Sequence, residues 1–336
     1  MSSFTIIPGR LSYLPLSPKR VGSGGAQVAA PTPPDTLAEC YLPIDDFLVY
    51  YPFFVDFGPV SLSRLARFCA ALSAKLRDRA HSARHLFLVS GAHAHKRANC
   101  AFLIAAHGVL CRGCTPEEAI RPFVGMSPPL PPWHDASPYV DPFHLTTLDV
   151  LRGVARAREC GFFSLEEFDV EAYEHYEQVA NGDMNWLVEG RFLALAGPVD
   201  EAGDGGEDGE GYHLATVDEL LPVFRQLRVA SMVRLNKKYY DERKLLAAGV
   251  NHLDLYFLDG SNPPEAVLQK FLAYCEATPG ARPPPPPPPP NPRSSSRFFT
   301  PHPTPPRLTS PTPQAPSRCT ARRAWGARAP ASARTS

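Results

Sequence analysis

Asp259 ends an aromatic-apolar run, Leu253 to Leu258, and opens a loop, Gly260-Ser261-Asn262-Pro263-Pro264, ahead of a helix-like stretch from Glu265 to Cys275. A carboxylate at a strand end, on a loop able to move, can protonate a leaving group. The same Asp-Gly pair also makes an ordinary turn. An earlier segment has the same form: Phe53-Phe54-Val55-Asp56-Phe57-Gly58-Pro59, then an amphipathic helix from Leu62 to Leu76. That helix leads to an apolar strand, His85 to Ser90, a loop from Gly91 to Arg97, and an apolar helix from Ala98 to Leu110. Strand, loop with Arg, then helix N-terminus is the layout of a phosphate cradle. Backbone N–H groups and the helix dipole would face the anion, and a guanidinium would clamp it.

Cysteine-dependent phosphoryl transfer needs a thiolate six residues before that Arg, stabilised by the same loop. Gly91 stands there, and none of the eight cysteines has Arg six positions on. The segment reads either as a cradle without a nucleophile or as a strand-turn-helix carrying a lone exposed Arg97.

The elements around these stretches alternate. Ser61 caps the helix from Leu62, whose Leu65, Phe68, Cys69 and Leu72 share one face. Thr115-Pro116-Glu117-Glu118 is a capping box opening a further helix. Phe47 to Tyr51 and Phe192 to Leu195 read as strands, and Leu145 to Arg158 as an amphipathic helix. Helix Val217 to Leu227, strand Ala230 to Leu235, helix Asp241 to Ala248 and strand His252 to Leu258 then follow, which predicts an α/β sheet with mainly parallel strands.

Composition bounds the rest. Lys+Arg and Asp+Glu both count 34, so net charge points to neither nucleic acid nor membrane. The 39 prolines gather toward the two ends, and an unbroken run fills 283–290. Residues 1–38 and 281–336 are therefore expected to be disordered, and 200–211 to be a solvated acidic loop. The cysteines are scattered and form no His/Cys cluster at metal spacing, so reduced thiols are expected, with no metal and no cofactor. No apolar run has spanning length and no signal-peptide pattern opens the chain, as expected of a soluble intracellular protein.

Residues 39 to about 280 resemble the cell-division-cycle-14 family of dual-specificity protein phosphatases. The resemblance rests on Tyr50-Tyr51-Pro52-Phe53-Phe54, Lys96-Arg97-Ala98-Asn99, Thr115-Pro116-Glu117-Glu118-Ala119 and Asp135-Ala136-Ser137. Gly161-Phe162-Phe163, Tyr173-Glu174-His175-Tyr176-Glu177, Asn181-Gly182-Asp183, Val233-Arg234-Leu235-Asn236-Lys237-Lys238 and Asp259-Gly260-Ser261 extend it. It implies tandem phosphatase-like domains: a non-catalytic one over 39–165, an acidic linker over 166–189, and a catalytic one over 190–280, here truncated. It further implies that Asp259 is the general acid, that Gly91 and Arg97 mark a vestigial loop, and that Glu118, Glu174 and Glu177 form an acidic substrate groove between the domains. Such a groove would favour phosphoproteins with a basic residue after a phospho-Ser-Pro site.

One departure decides the expected activity. In the family, residues like Thr278-Pro279-Gly280-Ala281 lead into a central strand and a His-Cys-x5-Arg loop; here Arg282 and polyproline follow. A general acid acts on a leaving group only when something attacks phosphorus. The parent chemistry would remove phosphate from phospho-Ser-Pro and phosphotyrosine sites through a cysteinyl-phosphate in cell-cycle control. This chain is expected to be inactive. It would serve instead as a phosphoprotein-binding pseudophosphatase, or as an adaptor docking SH3 or WW domains through 283–290. The resemblance also implies a nuclear, centrosomal or cytoplasmic location, without nucleic-acid or membrane partners.

Overall fold

A computed structural model describes residues 3–17, 19–21, 26–28, 31–52, 55–136, 144–200, 214–258 and 261–278. The chain divides into two compact units, Met1–His175 and Tyr176–Ser336.

The first unit runs through strands β1 (Phe4–Ile7), β2 (Leu11–Leu16), β3 (Lys19–Val21), β4 (Ala26–Val28) and β5 (Glu39–Pro43). Helix α1 (Leu62–Arg77), strand β6 (His85–Gly91) and helices α2 (Ala94–Arg112), α3 (Pro116–Ile120), α4 (Thr147–Glu159) and α5 (Val170–Tyr176) follow. The main sheet has the order β1-β2-β6-β5. β6 lies at its centre, parallel to both neighbours, with Leu11 to Leu16 registered on Leu86 to Gly91 and Glu39 to Pro43 on His85 to Val89. β1 turns back antiparallel on β2.

Residues 1–38 are thus not wholly a disordered lead-in, and that expectation is corrected. Leu11, Tyr13, Leu14 and Leu16 are buried, with Ser12 between them. A run buried on both faces is what a parallel strand covered on each side requires. Pro8, Gly9 and Pro15 mask it locally, and its partner lies some seventy residues on.

The strand expected over Phe47 to Tyr51 is also absent. Asp45–Leu48 forms a single 3-10 turn, and the strand of this region is β5 instead. The likeness between the segment before Asp56 and the one before Asp259 is therefore one of sequence form. Phe53 and Phe54 lie outside the described residues, and Phe57 makes only an isolated bridge to His134.

α1 presents Leu65, Phe68, Cys69 and Leu72 to the core, as its periodicity requires, and Ser61 accepts a hydrogen bond from the Arg64 N–H at its start. α2 is buried from Arg97 through Val109, as an all-round apolar helix must be. It ends at Gly113, whose φ of 70° is the left-handed cap that glycine adopts at low cost. Thr115 and Glu118 close the expected capping box on α3.

The second unit contains strands β7 (Met184–Val188) and β8 (Phe192–Leu195), helix α6 (Val217–Leu227), strand β9 (Ser231–Arg234), helix α7 (Arg243–Ala247), strand β10 (Asn251–Asp254) and helix α8 (Glu265–Ala277). β7 and β8 form an antiparallel hairpin, and β9 and β10 pair in parallel. The α/β alternation read from the sequence is present, although the last strand stops at Asp254 rather than Leu258. Met184, Val217, Leu220, Phe224, Met232, Tyr240, Leu245 and Val250 make the core. No described helix is long and apolar enough to cross a membrane.

An ion-pair network beside that core predicts an acid response. Lys238 Nζ lies 2.7 Å from Glu242, which is also near Arg234. The Lys238 hydrogen bond, then the residue's own N–H, draw the Glu242 carboxyl from its usual 4.5 to about 2, against a small opposing effect of burial. A carboxyl whose folded pKa lies below its unfolded one contributes stability above the unfolded value and loses it as pH falls through the folded one. The urea midpoint followed by Trp186 emission should fall as pH drops from about 4.5 to about 2, and Glu242→Gln should flatten that fall. An identical pH profile for the variant would remove Glu242 from the explanation.

Candidate functional site

The strand-loop-helix expected to form a cradle is present as β6, Gly91 to His93, and α2, but its donors are already engaged. The Gly91 N–H donates to both oxygens of Asp45, at 3.3 and 3.4 Å, and Lys96 Nζ donates to the same carboxylate. The Ala92 N–H donates to the Leu16 carbonyl at 3.1 Å. A Cβ built on Gly91 would meet Lys96 Cδ at 3.4 Å and Asp45 Oδ1 at 3.7 Å. An internal carboxylate therefore holds the place where an anion would meet the loop.

Arg97 does not clamp that place. It lies in α2 with only 5% of its surface exposed, and its guanidinium donates to the Pro128 carbonyl. Its Nε is buried with no hydrogen-bond partner among the described residues. The alternative of a lone exposed Arg is corrected as well: Arg97 is a buried anchor between α2 and the segment after α3.

Nor does a thiol stand in for the missing nucleophile here. Cys100, three residues beyond Arg97, is fully buried, and that burial pushes its thiol up, away from the thiolate. Tyr13, hydrogen-bonded to Ser90 at 2.8 Å, is pushed up by burial too. At the start of α2 the His95 ring stacks on Phe57 at 3.9 Å, and burial, then His93 and His134, lower its pKa. The unit has the strand and helix of a phosphate cradle, with the first N–H groups of its loop already bonded within the chain.

Residues 5–157 match the model of the dual specificity protein phosphatase N-terminal half. The chain is 42% identical to mouse and human dual specificity protein phosphatase CDC14A over 250 residues, and 40% identical to zebrafish CDC14AB over the same length. Over this region it is similar to the CDC14 phosphatases. The aligned region is 74% of this chain and 40–41% of each of those relatives, so the chain spans about two-fifths of their length.

The other positions singled out in the sequence are Asp259 and the acidic residues. Asp259 lies outside the described residues, as do Gly260 and the 283–290 proline run. Before them, Leu255 to Leu258 extend past β10, with Leu255 and Phe257 buried and Tyr256 and Leu258 exposed.

The acidic residues have local commitments. Glu118 Oε2 accepts the Thr115 N–H at 2.9 Å within the capping box; that bond, then the Thr115 hydroxyl, holds its carboxyl below the usual range. Glu174, on α5, takes a bidentate pair from Arg67 on α1, at 2.9 and 2.7 Å, while the same guanidinium reaches Glu171 at 3.0 Å. Arg67 is the main reason the Glu174 carboxyl is held low. Glu177 follows α5 in a turn, half-buried, at the start of the second unit.

Sequence reading missed the residues that close the first unit's loop. Asp45 lies 46 positions before Gly91. It has no local pattern to betray it, and only the register of β5 against β6 brings it there. Arg234 was visible as part of a motif, but not as the buried centre of its unit. It pairs with both oxygens of Asp254, at 2.6 and 2.7 Å, donates to the Tyr240 carbonyl at 2.9 Å, and stacks over the Tyr240 ring at 4.6 Å.

Proposed function

We propose that this chain is a catalytically silent member of the CDC14 phosphatase family that engages phosphoproteins without turning them over. The observation that carries the reading is that no cysteine in its 336 residues has Arg six positions later. The one described strand-loop-helix of the right form has Gly91 at the nucleophile position and an internal carboxylate on its loop. The family reaction would pass phosphate to a thiolate and protonate the leaving oxygen from Asp259. With no thiolate held in a Cys-x5-Arg loop, the acid has nothing to complete.

Binding is the part of the function that this argument leaves intact. Glu118, Glu174 and Glu177 are proposed to favour a basic residue following a phospho-Ser-Pro site, which would draw the chain to phosphoproteins of cell-cycle control in nucleus, centrosome or cytoplasm. Arg67 now holds Glu174, so a substrate Lys or Arg would compete with an exposed guanidinium rather than meet a bare carboxylate. Exposed pairs are weak, so the preference should be modest.

Calorimetric titration of a phospho-Ser-Pro-x-Lys peptide against its x-Ala counterpart tests this. The Lys peptide should bind a few-fold more tightly, and Glu174→Lys together with Glu177→Lys should abolish the difference. Equal binding of the two peptides, or binding indifferent to the phosphate, would remove the groove assignment.

A further inference from the structure

Away from the Gly91 loop, two rungs join α1 to α2 with reactive side chains. Cys69 and Ser73 are four residues apart on α1, and His107 and Cys111 are four apart on α2, so each pair lies one turn apart on one helix face. Ser73 Oγ meets His107 Nε2 at 3.1 Å. Cys69 and Cys111 stand on the next rung, each four residues along its helix from the Ser73–His107 contact.

The two thiols differ in access. Cys69 is buried, whereas Cys111 is exposed near the end of α2. Their ionisation is divided in the same sense: hydrogen bonding to Cys69, then to His107, holds Cys111 below the ordinary thiol range, while the same contact and burial hold Cys69 above it. An exposed thiolate backed by a buried thiol is the arrangement of a peroxide-reactive cysteine with its resolving partner.

We propose that Cys111 and Cys69 form a redox site, in which Cys111 reacts with a hydroperoxide and Cys69 resolves it to a disulfide that ties α1 to α2. In the first step the Cys111 thiolate attacks one peroxide oxygen. An S–O bond forms, the O–O bond breaks, Cys111 is oxidised by two electrons to a sulfenic acid, and hydroxide leaves. In the second step the Cys69 sulfur attacks Cys111. The S–S bond forms, the S–O bond breaks, and the departing hydroxide and the Cys69 proton make water. Two thiols and one hydrogen peroxide thus give one disulfide and two waters. Reduction by a dithiol restores the pair.

The site is separate from the Gly91 loop, and its reaction needs no phosphoryl chemistry. It also carries an internal control. Cys160 is also exposed but is the C-cap of α4 and has no thiol partner among the described residues.

The test uses the full chain. At about pH 6, brief iodoacetamide treatment followed by peptide mass mapping should label Cys111 at least tenfold faster than Cys160. Stoichiometric hydrogen peroxide should then yield a linked peptide pair containing Cys69 and Cys111, with the mass two daltons lower and restored by dithiothreitol. Cys69→Ser should stop at a Cys111 sulfenic acid that dimedone traps, and Cys111→Ser should yield neither product. Ser73→Ala, which keeps both thiols, should slow Cys111 alkylation. Equal labelling of Cys111 and Cys160 in the wild-type chain, or peroxide chemistry spread over the cysteines without a Cys69–Cys111 link, overturns the proposal whether or not the variants fold.

Discussion

Arg234→Ala is expected to destabilise the Tyr176–Ser336 unit by about 3–5 kcal/mol, because removing one partner strands the rest of a buried charge network. The side chain is 2% exposed, and three different groups depend on it: the Asp254 carboxylate, the Tyr240 carbonyl and the Tyr240 ring face. Its pKa is raised: burial opposes the charge, but Asp254, Tyr240 and Glu242 outweigh it. Asp254 is half exposed and can rehydrate, which places the loss toward the lower end of the range. Arg234→Lys keeps the charge but offers no planar fork to both carboxylate oxygens and a carbonyl at once, so it should recover less than half of the loss. Urea unfolding followed by Trp186 emission measures both variants. A loss under about 1 kcal/mol for the alanine would mean that β9 and β10 are held by packing alone.

Arg97 should behave differently, because its partner is a carbonyl rather than a carboxylate. Arg97→Ala removes a charge-assisted hydrogen bond, leaves the Pro128 oxygen unmet and opens a cavity in α2, for an expected loss of about 3 kcal/mol in the first unit. Arg97→Met fills most of that volume without a buried charge and should cost about 1 kcal/mol or less. The pair separates an anchor from an anion clamp. If Arg97 served an anion, inorganic phosphate would raise the thermal midpoint of the wild-type chain and not that of Arg97→Met. No phosphate effect on either is expected while Asp45 occupies the Gly91 loop.

What the sequence disclosed, and what it concealed, follows from distance along the chain. The Ser61 cap, the Leu65–Phe68–Cys69–Leu72 face and the Thr115–Glu118 capping box are set by residues within one or two helical turns, and all three are present. The parallel pairing of β9 with β10 was legible from the strand-helix-strand alternation around α7. β2 was not, because its prolines suggest coil and the strand it matches is β6, across a separation of seventy-five residues from Leu11 to Leu86. Asp45 was hidden for the same reason: an Asp-Asp pair before an aromatic run says nothing about a glycine one strand over. Gly91 does end the strand that the sequence placed before the Arg97 helix. The orientation of Arg97 was not legible, since spacing places a residue at a helix start but does not say whether it faces the loop or the core. Cys69 and Cys111 lie on different helices, and their meeting depends on an antiparallel register that neither helix specifies alone.

The most direct measurement is turnover of a generic aryl phosphate by the purified full chain, run beside Asp259→Asn. Without a thiolate in a Cys-x5-Arg loop to attack phosphorus, both proteins should release phenolate at the rate of buffer alone. Turnover by the wild-type chain that is lost in Asp259→Asn would mean that a nucleophile outside the Cys-x5-Arg pattern works with that acid, and the assignment of a silent phosphatase would be wrong.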